Sequence, residues 1–139
     1  MPSFEIKTVQ LSGGPWSVAT AGAQFSDAGP ILLLVHGFPL DHSMWHHQLA
    51  DLSDTCRVIA PDLPGFGASA TTVEGFTMES LADGLAELLA AMKIEQPVVF
   101  CGLSMGGYVG WQFWRKHRKH LAAIVGCDTR AAGDSAEVA

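Results

Sequence analysis

The sequence predicts an α/β domain with a mostly parallel sheet, an N-terminal antiparallel hairpin, and helices on both faces of the sheet. Two strand-like segments open the chain, short apolar runs without alternation follow, and segments with helical spacing separate those runs. Strands buried on both faces have continuous apolar runs, and strands that alternate with helices indicate βαβ units. The 139 residues suffice for one domain with one core, so we treat residues 1–139 as a single unit.

The predicted elements begin with the hairpin, in which Phe4 to Leu11 and Trp16 to Ala21 flank a turn at Ser12-Gly13-Gly14-Pro15. A helix over Met78 to Met92 is clearly indicated, because its leucines form one apolar stripe and Thr77 is a suitable N-cap. The other elements follow from the same patterns. Strands are predicted at Ile31 to Val35, Arg57 to Ala60, Val98 to Cys101 and Leu121 to Cys127. Helices are predicted at Met44 to Leu52 and after Ser104, as far as about His117.

Composition and charge exclude several classes of partner. The chain is 48% hydrophobic and 16% charged, against about 25% charged residues in a typical soluble domain. No apolar run reaches the roughly 18 residues of a membrane span, so we expect no membrane partner and assign the excess apolar residues to a core or interface. The net charge of −6 argues against nonspecific binding to nucleic acid.

Residues 1–7 lack the basic and apolar regions of a signal peptide, so we expect a cytoplasmic protein. The cysteines have no C-x-x-C spacing and are interpreted as buried free thiols. His42 and His46 are one helical turn apart, but only Asp41 is near enough in sequence to add a ligand, so no metal site is expected. The segment Asp62 to Ser69 lacks the third glycine and the lysine of phosphate-binding loops, and no cofactor is expected.

The motif that indicates chemistry is Gly102-Leu103-Ser104-Met105-Gly106, which matches G-x-S-x-G between a predicted strand and a predicted helix. Such a turn exposes the serine hydroxyl, and small residues on either side prevent collisions, so Ser104 is the predicted nucleophile. The backbone N–H of Met105 begins the helix and is predicted to donate to a developing oxyanion.

A second oxyanion donor is expected from the loop after an earlier strand. His36-Gly37-Phe38-Pro39 follows the strand Ile31 to Val35. Gly37 permits the turn, and Pro39 has no N–H, so the N–H of Phe38 is the predicted donor. We expect His36 to support this loop.

These motifs together resemble the N-terminal part of the α/β-hydrolase superfamily, in family order over about residues 30–128, with 129–139 left as a polar tail. Phe100 to Gly107 also resembles esterases and 3-oxoadipate enol-lactone hydrolases. The resemblance implies a serine hydrolase that attacks a carboxylic ester or lactone through an acyl-enzyme. Serine rather than aspartate at position 104 disfavours the dehalogenase and epoxide-hydrolase branches.

The resemblance also implies that an acid and a histidine follow the nucleophile. His117 and His120 are about three helical turns from Ser104 and are not expected to reach it. Asp128, just after the last predicted strand, is the candidate acid, although the family places its acid one strand later and Asp128 is also interpreted as a cap of the loop that leaves Cys127. Asp134 in the tail is a weaker candidate. We therefore expect a truncated α/β-hydrolase fold with about six of the eight strands, weakly active or inactive as this chain.

Two alternatives remain open. The scaffold is also compatible with a noncatalytic binding or interaction module, or with cofactor-free perhydrolase or haloperoxidase chemistry, which resembles the esterase branch at the same motif. Because the fold is expected to be truncated, the strand Leu121 to Cys127 would be an exposed apolar edge, and we expect self-association through it.

Overall fold

A six-stranded sheet organises the computed structural model, which describes residues 4–25, 29–71 and 75–131. The order of the strands across the sheet is β1-β2-β4-β3-β5-β6. Asp134 and the rest of residues 132–139 of the predicted tail lie outside the described residues. The strands are β1 (Phe4–Leu11), β2 (Gly14–Ala21), β3 (Ile31–Val35), β4 (Arg57–Pro61), β5 (Val98–Leu103) and β6 (Leu121–Cys127).

The pairing of the strands confirms the predicted mixed sheet. β1 and β2 form an antiparallel hairpin in which Leu11 pairs with Gly14, so the turn is shorter than predicted. β2 is antiparallel to β4, whereas β4, β3, β5 and β6 are mutually parallel. The carboxyl ends of parallel strands meet at one edge of a sheet, so the loops that follow these four strands converge there.

Helices cover both faces of the sheet, as predicted. They are α1 (His46–Leu52), α2 (Met78–Ala91) and α3 (Met105–His117). Alternate residues of β3 point to opposite faces. Leu33 belongs to the core cluster that includes side chains of α2 and α3, on one face of the sheet. Leu34 belongs to the cluster that includes Leu49 of α1, on the other face.

The ends of the helices follow from local hydrogen bonds. Thr77 caps α2 as predicted, since its hydroxyl accepts the Ser80 N–H and the Ser80 hydroxyl accepts the Thr77 N–H. The predicted helix over Met44 to Leu52 is divided into a 3-10 turn at His42–Trp45 and α1. Asp41 begins the 3-10 turn, and its carboxylate accepts the N–H of Ser43.

β6 forms one edge of the sheet in the described ranges. Its side chains are half-buried or exposed throughout, and Val125 is 45% exposed. No helix among the described residues combines the length and the apolar character needed to cross a membrane.

Candidate active site

The G-x-S-x-G motif forms a tight turn between β5, which ends at Leu103, and α3, which begins at Met105. Ser104 is exposed and has φ +49° and ψ −108°, a left-handed φ that residues other than glycine rarely adopt. The turn has no space for larger neighbours, because a Cβ at Gly106 would overlap the carbonyl oxygen of Val35 and one at Gly102 would overlap the backbone of Gly106. The strained turn expected from the sequence is present, and the nucleophilic role of Ser104 remains a prediction.

The loop after β3 lies directly beside this turn. A Cβ built at Gly37 would be 3.5 Å from the Cβ of Ser104 and 3.0 Å from the carbonyl oxygen of Leu103. The next residue, Phe38, is 69% exposed and is joined to Pro39 by a cis peptide bond. Within the described ranges, the N–H groups of Phe38 and Met105 donate to no protein acceptor. Both groups predicted from the sequence as oxyanion donors are therefore unused.

The side chain of His36 ties the loop after β3 to the loop after β4. Its Nε2 accepts the backbone N–H of Leu63 at 3.0 Å, and its Nδ1 lies 3.0 Å from the carbonyl oxygen of Gly37. An amide N–H can only donate, so Nε2 is unprotonated and Nδ1 carries the proton that it donates to Gly37. Burial lowers the pKa of His36 from 6.5, which favours this neutral form.

Asp62 makes the reciprocal connection from the loop after β4. Its fully buried carboxylate accepts the backbone N–H of His42 at 2.8 Å through Oδ1 and that of Ala68 at 3.0 Å through Oδ2. The ring Nδ1 of His42 is also 2.8 Å from Oδ1. Each loop thus contributes one buried side chain that accepts a backbone N–H of the other loop, which explains how the segment containing Phe38 is supported.

Asp41, His42 and Asp62 place one ligand atom each within 4.8 Å of one another, a group of donors able to hold a metal ion. The sequence interpretation considered His42 with His46 and missed Asp62, which is distant along the chain. His46 instead packs its ring on Phe4, with centroids 5.0 Å apart. The Asp62 carboxylate already accepts three hydrogen bonds from the two loops, and we therefore assign it to the support of the loops.

None of the six histidines, all of which lie within the described ranges, hydrogen-bonds the hydroxyl of Ser104. His117 is bonded instead to Asp83 at 2.7 Å, which connects α3 with α2. The ring of His120 stands beside that of His117, 6.4 Å away between centroids. No histidine of the described chain is therefore held against the Ser104 hydroxyl by a hydrogen bond.

Asp128, the candidate acid, directly follows β6 at the same edge of the sheet as Ser104. It is exposed, has φ +46°, and makes no hydrogen bond to a histidine of the described chain. Its neighbours contact the nucleophile turn directly. The carbonyl oxygen of Cys127 accepts the N–H of Ser104 at 2.9 Å, and the hydroxyl of Thr129 donates to the carbonyl oxygen of Ser104 at 2.8 Å.

Sequence reasoning missed these contacts and one other. Thr129 was placed in a polar tail because nothing in its own segment marks it as a neighbour of the motif. Cys101 and Cys127, interpreted from the sequence as buried free thiols, are only half-buried and lie side by side on β5 and β6 with their Sγ atoms 3.8 Å apart. Parallel strand pairing brings them together, and no cysteine spacing in the sequence could have indicated it.

Three aromatic rings extend away from the predicted oxyanion loop. The centroid of Phe66 is 5.9 Å from that of Phe38 and 5.9 Å from that of Phe76. Phe38 and Phe76 are both exposed, so the rings present an apolar surface near the Ser104 turn. A cavity of about 470 Å³ lies between the hairpin and α2; Phe76 lines it and Ser104 does not.

Comparison with known proteins agrees with this geometry. A thermophilic esterase from Thermogutta terrifontis, solved with malate bound, superposes with a TM-score of 0.82 at 43% sequence identity over 96% of this chain. The 3-oxoadipate enol-lactonase 1 of Acinetobacter baylyi is 29% identical over 103 residues, or 74% of this chain. Epoxide hydrolase 3 of Xenopus tropicalis is 34% identical over 98 residues, or 69% of this chain.

The matches cover only part of each of these proteins: 48% of the solved esterase chain, 38% of the enol-lactonase and 26% of the epoxide hydrolase. The protein-family model for the alpha/beta hydrolase fold matches residues 30–138. This match covers most of the chain and includes each motif identified above. The chain therefore belongs to the alpha/beta hydrolase fold family.

Proposed function

We propose that Ser104 is the nucleophile of a serine hydrolase acting on a carboxylic ester or a lactone. The observation that carries the proposal is the strained, exposed position of Ser104 at a strand-to-helix turn, with the Gly37 loop against it. In the proposed reaction the hydroxyl oxygen attacks the substrate carbonyl carbon, the alcohol leaves with a proton, and water releases the acid from the acyl-enzyme.

The backbone N–H groups of Phe38 and Met105 are proposed to stabilise the oxyanion that forms during attack. Both are free of protein acceptors in the described part of the chain. Met105 is at the first position of α3, where the helix dipole also favours negative charge. Donors of this kind, preorganised in an active site, typically contribute about 10²- to 10³-fold each to the rate.

The acyl or leaving group of the substrate is proposed to contact the rings of Phe38, Phe66 and Phe76. An apolar surface of this kind favours uncharged esters and lactones over charged ones, because a charged group would lose hydration without gaining a partner. The esterase and enol-lactonase relatives support an ester or a lactone as the substrate, whereas the preference for an uncharged one rests on the aromatic rings alone.

Serine at position 104 distinguishes this proposal from epoxide hydrolysis, which the similarity to epoxide hydrolase 3 also raises. An epoxide is opened in that branch by a carboxylate at the nucleophile position, which Ser104 cannot supply. We expect Ser104→Asp to be needed before any epoxide-opening activity arises.

A serine hydroxyl needs a positioned base, and none of the six histidines is bonded to Ser104. We propose that the base comes from residues outside these 139, and that its carboxylate partner comes either from the same residues or from Asp128, the candidate acid among the described residues. The chain alone is then expected to have little Ser104-dependent activity, since the oxyanion donors remain but the nucleophile is not activated.

The experiment compares hydrolysis of p-nitrophenyl acetate by the 139-residue chain, by a version extended with the coding sequence that follows Ala139, and by the Ser104→Ala variant of each. We expect turnover in the extended protein that Ser104→Ala abolishes, and only background hydrolysis in the short chain. Robust Ser104-dependent turnover by the short chain would contradict the absence of a base. Turnover in the extended protein that survives Ser104→Ala would reject Ser104 as nucleophile.

A noncatalytic interaction module is the second candidate, favoured by the exposed β6 edge and by the half-exposed Trp114 beside it. Stable oligomers of the extended protein without any ester hydrolysis would support this alternative.

A further inference from the structure

The last residue of β6 and the three residues that follow it form a short strap over the nucleophile turn, which we define as residues 127–130. Three hydrogen bonds attach it. Cys127 accepts the N–H of Ser104 at 2.9 Å, Thr129 donates to the carbonyl oxygen of Ser104 at 2.8 Å, and the carbonyl oxygen of Arg130 accepts the indole N–H of Trp111 at 3.1 Å. Both backbone polar groups of Ser104 are thus held by the strap.

The packing around Thr129 is as specific as its hydrogen bond. Asp128 adopts a left-handed φ of +46°, which turns the chain back toward α3. The Thr129 side chain then occupies space that two glycines leave open. A Cβ at Gly107 would overlap its atoms, and a Cβ at Gly126 would approach its methyl group to 2.9 Å.

The carbonyl of Ser104 and the N–H of Met105 belong to the same planar peptide group, so whatever fixes the carbonyl oxygen also fixes the direction of the N–H. The oxygen accepts the N–H of Gly107 at 2.9 Å and that of Tyr108 at 3.3 Å, both from the first turn of α3. Thr129 supplies the donor that comes from outside the helix. A hydrogen bond to the carbonyl also polarises the peptide group and strengthens its N–H as a donor.

We propose that Thr129 is a positioning residue for the oxyanion site: its hydroxyl holds the Ser104–Met105 peptide group so that the Met105 N–H points at the developing oxyanion. This inference rests on the proposed function of Ser104 and Met105. It assigns to residues after β6 a part in catalysis that does not require Asp128 to act as an acid.

The test uses the Ser104→Cys variant of the full 139-residue chain, because a thiolate attacks esters without a histidine base. Two rates are measured at position 104 by peptide mapping, which separates this thiol from the three native cysteines. Acetylation by p-nitrophenyl acetate passes through an oxyanion, whereas alkylation by iodoacetamide does not. The ratio of the two rates therefore reports the oxyanion donors and cancels changes in thiolate fraction or access.

Thr129→Val and Thr129→Ala, which remove the hydroxyl, are compared with Thr129→Ser, which keeps it. We expect the acetylation-to-alkylation ratio to fall about tenfold in the first two variants, a fraction of what losing an oxyanion donor costs, and to stay within about twofold in the serine variant. A merely structural role for Thr129 would lower both rates together and leave the ratio unchanged.

Equal ratios in Thr129→Ala and Thr129→Ser would overturn the proposal, and comparing these two variants decides the question if Thr129→Val does not fold. Failure of the proposed function has a different signature. In that case the position-104 thiol with Thr129 intact shows no higher ratio than glutathione, a free thiol measured under the same conditions.

Discussion

The Nε2 atom of His36 accepts a hydrogen bond from the backbone N–H of Leu63 at 3.0 Å, which joins the loop after β3 to the loop after β4. The bond requires a neutral imidazole, since a protonated ring has no acceptor. His36 is fully buried, and burial lowers its pKa. The loop that contains Phe38 therefore depends on the protonation state of one histidine.

The first prediction concerns pH and stability. The folded pKa of His36 is lower than the 6.5 of an unfolded chain, so below about pH 6.5 the unfolded state binds more protons than the folded state. The stability that the neutral imidazole contributes is complete above that pH and is lost as the pH falls, by at most about 1.4 kcal/mol per pH unit. Urea unfolding at about pH 7.5 and about pH 5.5 measures the loss.

Carboxylates also change protonation as the pH falls, so variants are needed to isolate the loss of stability that is due to His36. His36→Gln removes the titrating group, and its loss of stability on acidification should be smaller than that of the native chain. The matched control is His47→Gln, at an exposed position on α1, which should behave like the native chain. Identical pH dependence in all three proteins would show that His36 does not control acid stability.

The second prediction tests the packing of the nucleophile turn. Gly106→Ala should destabilise the chain by about 3 kcal/mol, because the new Cβ would overlap the carbonyl oxygen of Val35, a backbone atom that cannot move aside. Helix propensity alone would predict the opposite sign, a gain of about 1 kcal/mol. Gly29→Ala is the control, since its Cβ would meet nothing closer than 4.0 Å. Denaturant unfolding of both variants measures the change in stability: a loss in Gly106→Ala supports the steric clash, and a gain supports helix propensity.

The third prediction concerns the paired thiols. Burial, followed by the charge of Cys127 and the hydrogen bond to it, raises the pKa of Cys101 to about 12. At neutral pH its thiolate fraction is then about a thousandfold below that of a thiol with the ordinary pKa of 9.0. Alkylation of Cys101 by iodoacetamide should be correspondingly slow and should rise with pH.

Removing the neighbour should make Cys101 more reactive. Cys127→Ala removes two of the three causes but not burial, so the pKa should fall while remaining above its ordinary value. Cys56→Ala is the control, because Cys56 belongs to the α1 face away from this pair. The pH profile of Cys101 alkylation, followed by peptide mapping, should shift in the first variant only. An unshifted profile in Cys127→Ala would mean that the two thiols do not interact.

The fourth prediction concerns the free edge at β6. We propose that the chain self-associates through this strand, whose half-buried and exposed residues include Val125 at 45% exposure. Sedimentation velocity should show association that increases with protein concentration. Val125→Lys should weaken it, because a lysine on a free edge opposes strand pairing. Ile6→Lys on β1, at the opposite edge, is the matched control. A monomer at every concentration would contradict the proposal.

The sequence alone was sufficient for the order of the elements and for the position of the strand-to-helix turn at Ser104. Continuous apolar runs predicted β3, β4, β5 and β6 within a few residues, because buried strands need apolar side chains on both faces. The turn at Ser104 was predictable because a sharp strand-to-helix turn restricts which residues fit within a few positions of it. Both constraints act on residues that are close together along the chain, so both can be recognised in a short stretch of sequence.

Only the tertiary structure decided which distant segments support that turn. Thr129 contacts Ser104 because β6 runs parallel to β5, and Asp62 contacts His42 because β4 runs parallel to β3. Neither contact leaves a pattern along the chain, since strand order in a sheet is set by how the helices pack and not by spacing in sequence. The sequence thus determined that Ser104 sits at a strained turn, and the fold decided what holds it there.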